Sequence, residues 1–109
     1  MHELAVTESI VAAVTEKLPD IAVRRVRVRV GRLSGIVPDA LTFCFELATA
    51  GTSLQGAELD IESAPGRGRC RTCGSEFDTG DFISLCECGS VDVEVIGGRE
   101  LQIREVEVV

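Results

Sequence analysis

The spacing of apolar residues in the first half of the chain changes period repeatedly, and each change predicts a new element. Apolar residues recur at helical spacing from Glu3 to Leu18, and Pro19 ends that pattern. Valine then alternates with arginine over residues 23–30, as in a strand that is covered on one face. The pattern predicts a second helix from Pro38 until Gly51 and a second strand over residues 57–63.

The polar faces of these two predicted strands carry opposite charge. Adjacent pairing would place the arginines of the first strand opposite the carboxylates of the second. For the arginine run, this favours a solvated and internally neutralised sheet face over a patch that binds nucleic acid. The residues concerned are Arg25, Arg27 and Arg29 in the first strand and Glu58, Asp60 and Glu62 in the second.

Turn-forming residues divide the second half of the chain. Residues 65–68 predict a turn-rich boundary, residues 92–96 and 101–109 predict strands, and Gly97-Gly98 predicts a turn between these strands. We interpret the last strand as returning to the first lobe. The predicted fold class is α/β (α+β): residues 1–64 and 97–109 form two helices packed on a small mixed sheet, and a zinc-ribbon-like lobe is inserted at residues 65–96.

Composition narrows the classes of function. A chain of 109 residues suits one small domain with a metal-stabilised insert. The only aromatic residues are four phenylalanines and the formal charge is −7, which disfavours stacking on bases and binding to phosphate backbones. No stretch approaches the roughly 20 apolar residues of a membrane span, and no secretory signal is recognisable. We therefore expect a cytoplasmic protein that binds neither nucleic acid nor membrane.

Four cysteines carry the clearest chemistry in the sequence. Cys70 and Cys73 form a CxxC pair, and Cys86 and Cys88 form a second pair in the same lobe. Two such pairs a hairpin apart can gather four thiolates around a tetrahedral Zn(II) ion. Because four protein ligands leave no open position for a substrate, we predict that this zinc is structural and stabilises a lobe with few large apolar residues.

The second cysteine pair is CxC, one residue shorter than the usual zinc hook, and this predicts a strained or labile site. A dithiol redox pair formed by Cys86 and Cys88 is an alternative, but it leaves the first pair without a purpose. The fifth cysteine, Cys44, lies at helical spacing from Leu41 and is predicted to be a buried apolar residue. We predict no enzyme activity, because the single histidine lies far along the chain from these thiols.

That histidine stands at the second position, where the chain terminus offers further nitrogen ligands. The Met1 amine, the amide nitrogen of His2 and its imidazole can close two fused chelate rings, and the Glu3 amide or carboxylate can complete a plane of four ligands. Planar nitrogen and oxygen ligation suits Ni(II) or Cu(II). The same dipeptide is also compatible with an exposed terminal histidine that binds no metal.

Several features follow one another in the order of a known family over essentially the whole chain. They are Met1-His2-Glu3 opening a helix, the turn from Gly31 to Pro38, the helix from Leu41 to Glu46, the Gly51-Thr52 step, the four-cysteine lobe ending in Cys88-Gly89-Ser90, and Gly97 to Leu101 before the final strand. Together they resemble the HypA/HybF nickel metallochaperones of hydrogenase maturation.

The resemblance implies a carrier of Ni(II) that loads nickel–iron hydrogenase, with two metal sites. Met1, His2 and Glu3 would hold the nickel in the domain of residues 1–64 and 97–109, and Cys70, Cys73, Cys86 and Cys88 would hold Zn(II) in the domain of residues 65–96. The implied partners are the GTPase accessory protein HypB, the hydrogenase large subunit precursor and urease maturation proteins.

The family normally has CxxC twice, so the CxC here departs from its pattern. The expected ligand position is occupied by Leu85, and Cys86 would have to substitute from one residue away. A rival interpretation is a zinc-ribbon module for protein or nucleic-acid interaction with no nickel role. The arginines at 67, 69 and 71 fit such a module, but many carboxylates surround them in sequence, which favours the metallochaperone.

Overall fold

The computed structural model describes residues 2–80 and 85–109 as an α+β protein with two three-stranded sheets. The predicted fold class is confirmed. The elements are α1 (Glu3–Lys17), β1 (Val23–Gly31), α2 (Pro38–Thr49), β2 (Glu58–Ala64), β3 (Gly66–Cys70), β4 (Glu76–Gly80), β5 (Val93–Gly97) and β6 (Leu101–Val108). No helix in the described part of the chain is both long and apolar enough to cross a membrane.

The chain divides into two compact units. The first comprises the described residues within 1–29, 36–62 and 102–109, and the second comprises those within 30–35 and 63–101. The second unit is longer than the segment 65–96 predicted from the sequence. The N–H groups of Gly31 and Leu33 donate to the carbonyls of Glu100 and Gly98, and these hydrogen bonds hold residues 30–35 in it.

The first unit has its core between the helices and one face of the sheet. The sheet order is β2-β1-β6, with β1 in the centre. Val26 and Val28 of β1 are fully buried, as are Leu41 and Phe45 of α2, whereas the arginines of β1 lie on the other face. The period-two pattern therefore predicted correctly which face of β1 is covered.

The open face of this sheet carries ordered rows of charge. Arg25 pairs with Glu58, Arg27 with Asp60 and Arg29 with Glu62, at N–O distances of 3.1, 3.0 and 3.8 Å. Residue numbers rise together in these pairs, so β2 runs parallel to β1 after the crossover through α2. They run in opposite directions in the pairs of Arg25 with Glu107 and Arg27 with Glu105, so β6 is antiparallel. The predicted mixed sheet and its neutralised arginines are both confirmed.

The turn-rich boundary predicted at residues 65–68 is wrong from Gly66 onward, because these residues belong to strand β3. β3 pairs antiparallel with β4 and with β5, which makes it the central strand of the second sheet. Gly68 faces inward, where an added Cβ would lie 2.8 Å from Val93 Cγ1 and 3.1 Å from Thr79 Cγ2. The glycines here serve close packing of the sheet, which sequence alone does not distinguish from a turn.

Candidate metal sites

The four predicted zinc ligands come together in the second unit. Their sulfur atoms all lie within 4.8 Å of one another, with Cys70 Sγ 3.7 Å from Cys88 Sγ and Cys73 Sγ 3.5 Å from Cys86 Sγ. Zinc–sulfur bonds of about 2.3 Å in a tetrahedron require sulfur–sulfur separations of about 3.8 Å. The donor set and its spacing therefore fit one zinc ion.

The shortened second hook reaches this cluster because its turn closes one residue earlier. In the first hook the N–H of Gly74 donates to the carbonyl of Cys70, four residues back, at 2.8 Å. In the second hook the N–H of Gly89 donates to the carbonyl of Cys86, only three residues back, at 2.9 Å. Both glycines have positive φ, 80° and 89°, which lets the chain leave each turn without strain. The Cys86 sulfur thus reaches the cluster although it lies one residue after Leu85, the position expected for a CxxC.

Contacts outside the ligands tie the two hooks together. The hydroxyls of Thr72 and Ser90 are hydrogen-bonded at 2.8 Å, so one side chain from each hook meets the other. The Arg71 guanidinium donates to the Asp92 carboxylate at 2.8 Å. Sequence analysis did not single out Thr72 or Ser90, since a hydroxyl pair separated by 18 residues leaves no local signal. These bonds hold the two cysteine turns next to each other.

Two of the clustered thiols, Cys70 and Cys86, have pKa values shifted in opposite directions. The N–H of Cys73 donates toward Cys70 Sγ, and this bond, helped by the N–H of Thr72, lowers the pKa of the Cys70 thiol to about 6. At Cys86 the N–H of Cys88 also lowers the pKa, but burial and the neighbouring thiols raise it to about 12 overall. Cys70 is therefore the more readily ionised of these two thiols, and a metal that used Cys86 as a ligand would have to replace its proton.

Cys44 lies outside this cluster, on α2 of the first unit. It is half-buried rather than fully buried as predicted, because it lies at the margin of the face that holds Leu41 and Phe45. The arginines that could have given the second unit a basic face are paired with carboxylates. Arg67 pairs with Asp78 at 2.7 Å and Arg69 with Glu76 at 3.3 Å, which neutralises the charge that a nucleic-acid-binding ribbon would present.

Two of the three predicted nickel ligands lie within the described residues, at the start of α1. His2 is the residue that precedes the helix, its carbonyl accepts the N–H of Val6 at 2.9 Å, and its side chain is exposed. Met1, the third predicted ligand, lies outside the described residues. Backbone N–H groups in the first turn of a helix have no partner within the helix. The Glu3 amide is one of these groups, and it lies directly after an accessible imidazole.

The Glu3 carboxylate has a structural partner far along the chain. Glu3 is only 9% exposed, and its Oε2 accepts a hydrogen bond from the N–H of Val37 at 3.2 Å. This bond attaches the start of α1 to the residue before α2, within the first unit. Sequence analysis missed the role of Val37, because a backbone N–H carries no side-chain signature. Of the two Glu3 groups considered as ligands, the carboxylate has this additional structural role.

Comparison with known proteins matches the chain along nearly its whole length. The family model described as "Hydrogenase/urease nickel incorporation, metallochaperone, hypA" covers residues 1–108. The "Hydrogenase maturation factor HypA" of Nostoc punctiforme is 48% identical over 108 residues, covering 99% of this chain and 96% of the relative. The protein of the same name from Streptomyces avermitilis is 47% identical over 112 residues, covering 97% of this chain and 86% of the relative.

A solved structure agrees in fold. The solution structure of the Ni metallochaperone HypA from Helicobacter pylori superposes with a TM-score of 0.71 at 25% identity, and the match covers 100% of this chain and 98% of that one. Similarity in sequence and in fold therefore points to the same family.

Proposed function

The chain belongs to the HypA family of nickel-incorporation metallochaperones, and from that premise we propose that it binds Ni(II) at its N-terminus and delivers it during maturation of nickel–iron hydrogenase. The observation that carries the proposal is the exposed His2 imidazole at the start of α1, next to the chain terminus. The Met1 amine, the amide and imidazole nitrogens of His2 and the Glu3 amide can form a planar set, which is the geometry that Ni(II) prefers. The hydrogen bond from the Val37 N–H to the Glu3 carboxylate holds the start of the helix in place.

Such a site can release its cargo as well as hold it. The amine, amide and imidazole nitrogens must all lose protons to bind nickel, so acidification or a competing ligand set discharges the metal. A carrier needs this reversibility, and no catalytic residue is required. The protein would act by transfer to a partner rather than by turnover.

We propose that the four cysteines hold a structural Zn(II). The sulfur–sulfur distances of 3.5 and 3.7 Å support this assignment, since they suit a tetrahedral ion and leave no open ligand position. When bound, the ion would hold the two hooks together and stabilise the small sheet beside them. On this proposal residues 1–64 and 97–109 serve nickel binding, and residues 65–96 serve zinc binding.

The family's role in hydrogenase and urease nickel incorporation supports a set of partners within that machinery. We assign to it the GTPase accessory protein HypB, the precursor of the hydrogenase large subunit and urease maturation proteins. All of this would take place in the cytoplasm. The ion pairs of Arg67 and Arg69 speak against the rival function of a nucleic-acid-associated ribbon.

The nickel site is tested by calorimetric titration of the zinc-loaded protein with Ni(II). Equimolar binding is expected for the authentic terminus, and no binding is expected for His2→Ala or for a protein extended by a few residues before Met1, because an extension converts the amine into an amide. Equal zinc content and unchanged circular dichroism are the controls. Nickel affinity that survives both changes would refute the terminal chelate.

A further inference from the structure

The outer edge of β2 forms a groove against α2 in the first unit. The groove has a volume of about 780 Å³, and its walls are Thr42, Glu46 and Thr49 of α2 on one side and residues 57–60 on the other. In the sheet order β2-β1-β6, β2 pairs with β1 alone, so among the described residues no strand covers its other side. The edge strand therefore offers backbone N–H and C=O groups to an additional strand.

The charge pattern of the open face indicates which charged residues an additional strand would need. Moving across the sheet, β6 presents Glu105 and Glu107, β1 presents arginines, and β2 presents acidic residues again. The alternation ends at the free edge with a row of carboxylates, those of Glu58, Asp60 and Glu62. Their side chains remain 71, 46 and 49% exposed despite their ion pairs, so each can accept a second cation. A neighbouring strand would extend the pattern with lysine or arginine at alternate positions.

On the face of β2 that is turned toward the helices, an additional strand would need apolar residues. Leu59 and Ile61 are only half-buried on the side of the sheet that the helices cover, and Phe45 of α2 lines the same groove. The C-terminal turns of α2 also face this space. Their carbonyl dipoles add negative potential, and α2 has no basic residue in its last turn. Among the described residues, none forms an ion pair with Glu46 in the groove wall.

We propose that the edge of β2 binds an extended peptide segment of a partner protein as a fourth strand, and that this segment alternates basic with apolar residues. The mode is strand addition, in which backbone hydrogen bonds supply affinity and the alternating side chains supply specificity. A second copy of this chain is a poor occupant, because pairing two β2 edges would set carboxylates against carboxylates. The inference goes beyond nickel carriage and depends on no metal at the N-terminus.

The test uses the full zinc-loaded chain without nickel and a short synthetic peptide of alternating lysine and valine. Titration is followed by amide chemical shifts and by amide hydrogen exchange. We expect saturable binding, shift changes centred on β2 and the facing side of α2, and slower exchange at alternate amides of β2. A peptide of alternating glutamate and valine is the charge control and should not bind.

Two variants separate the groove from general electrostatic attraction. Asp60 and Glu105 both pair with Arg27, at 3.0 and 3.4 Å, but Asp60 lies on β2 and Glu105 lies on the opposite edge strand. Asp60→Lys should weaken binding of the basic peptide by roughly fivefold or more, because an attractive cross-strand pair becomes repulsive. Glu105→Lys changes the net charge by the same amount and should change affinity less than about twofold.

Any one of five results would overturn the proposal. Equal weakening by the two variants would mean that the peptide responds only to net charge. Shift changes centred on β6, or unchanged exchange in β2, would place the peptide elsewhere. Absence of binding by the basic peptide, or dimerisation through β2 in the absence of peptide, would remove a basic strand as the occupant.

Discussion

Two phenylalanines on α2 test the assignment of the core of the first unit. Phe45 is 1% exposed and lies with Leu41 on the buried face of α2. Phe43 lies on the same helix and is 63% exposed. Removal of a fully buried phenylalanine side chain costs about 3–5 kcal/mol, through lost transfer free energy and the cavity left behind. Removal of an exposed one changes the free energy of unfolding by about 0.5 kcal/mol or less.

The expected difference is large on the scale of a small domain. Total stabilities are about 5–15 kcal/mol, so Phe45→Ala removes a large fraction of the free energy that keeps this unit folded. With an m value of about 1.5 kcal/mol per molar, the urea midpoint should fall by about 2–3 M. Phe43→Ala should leave the midpoint almost unchanged. Since Phe45→Ala could unfold at room temperature, Phe45→Leu provides a variant with a smaller loss in the same direction.

The assay is urea denaturation followed by far-ultraviolet circular dichroism, with zinc content measured in parallel. Because the four clustered cysteines belong to the other unit, Phe45→Ala should retain zinc while it loses helical signal earlier. Equal midpoints for the two alanine variants would refute the packing derived for α2. Loss of zinc together with the helical signal would refute the expectation that the first unit can unfold while the clustered cysteines still hold zinc.

Acidification and glycine substitution give the remaining predictions. With the Cys70 pKa lowered to about 6, protonation competes with metal below that value, so zinc should be lost to a chelator increasingly fast as the pH falls through it. Cys44→Ala should leave the pH dependence of zinc loss unchanged. A rate of zinc loss that does not vary with pH would contradict the role of Cys70 as a zinc ligand. Gly31→Ala should destabilise the protein by about 1–3 kcal/mol in thermal unfolding, because its Cβ would overlap the Gly98 carbonyl. At Gly97 the nearest atom is Arg67 Cβ at 3.4 Å, so Gly97→Ala is the matched control, and equal losses would refute the close approach.

The sequence by itself determined the elements in which residues facing the core recur at a regular spacing. The valines of β1 had to face a core, and the opposite charges of β1 and β2 predicted their pairing, because both signals repeat with the period of the backbone. The spacing of the four cysteines likewise predicted that they cluster, since two closely spaced cysteine pairs in a small lobe are typical of a metal site. The order of these features along the chain was sufficient to recognise the family.

Only the tertiary structure decided features that depend on residues distant in sequence. The first three residues of the strand Gly66–Cys70 were predicted as part of a turn-rich boundary, because the sequence does not show whether a glycine bends the chain or makes room for a side chain such as Val93. How the shortened hook closes its turn was also not evident from the sequence, and the bond from the Gly89 N–H to the Cys86 carbonyl shows it. The bond from Val37 to the Glu3 carboxylate and the free edge of β2 were invisible for the same reason. Backbone donors and unpaired edges are identical at every position of a sequence, and only the folded arrangement shows which of them remain available.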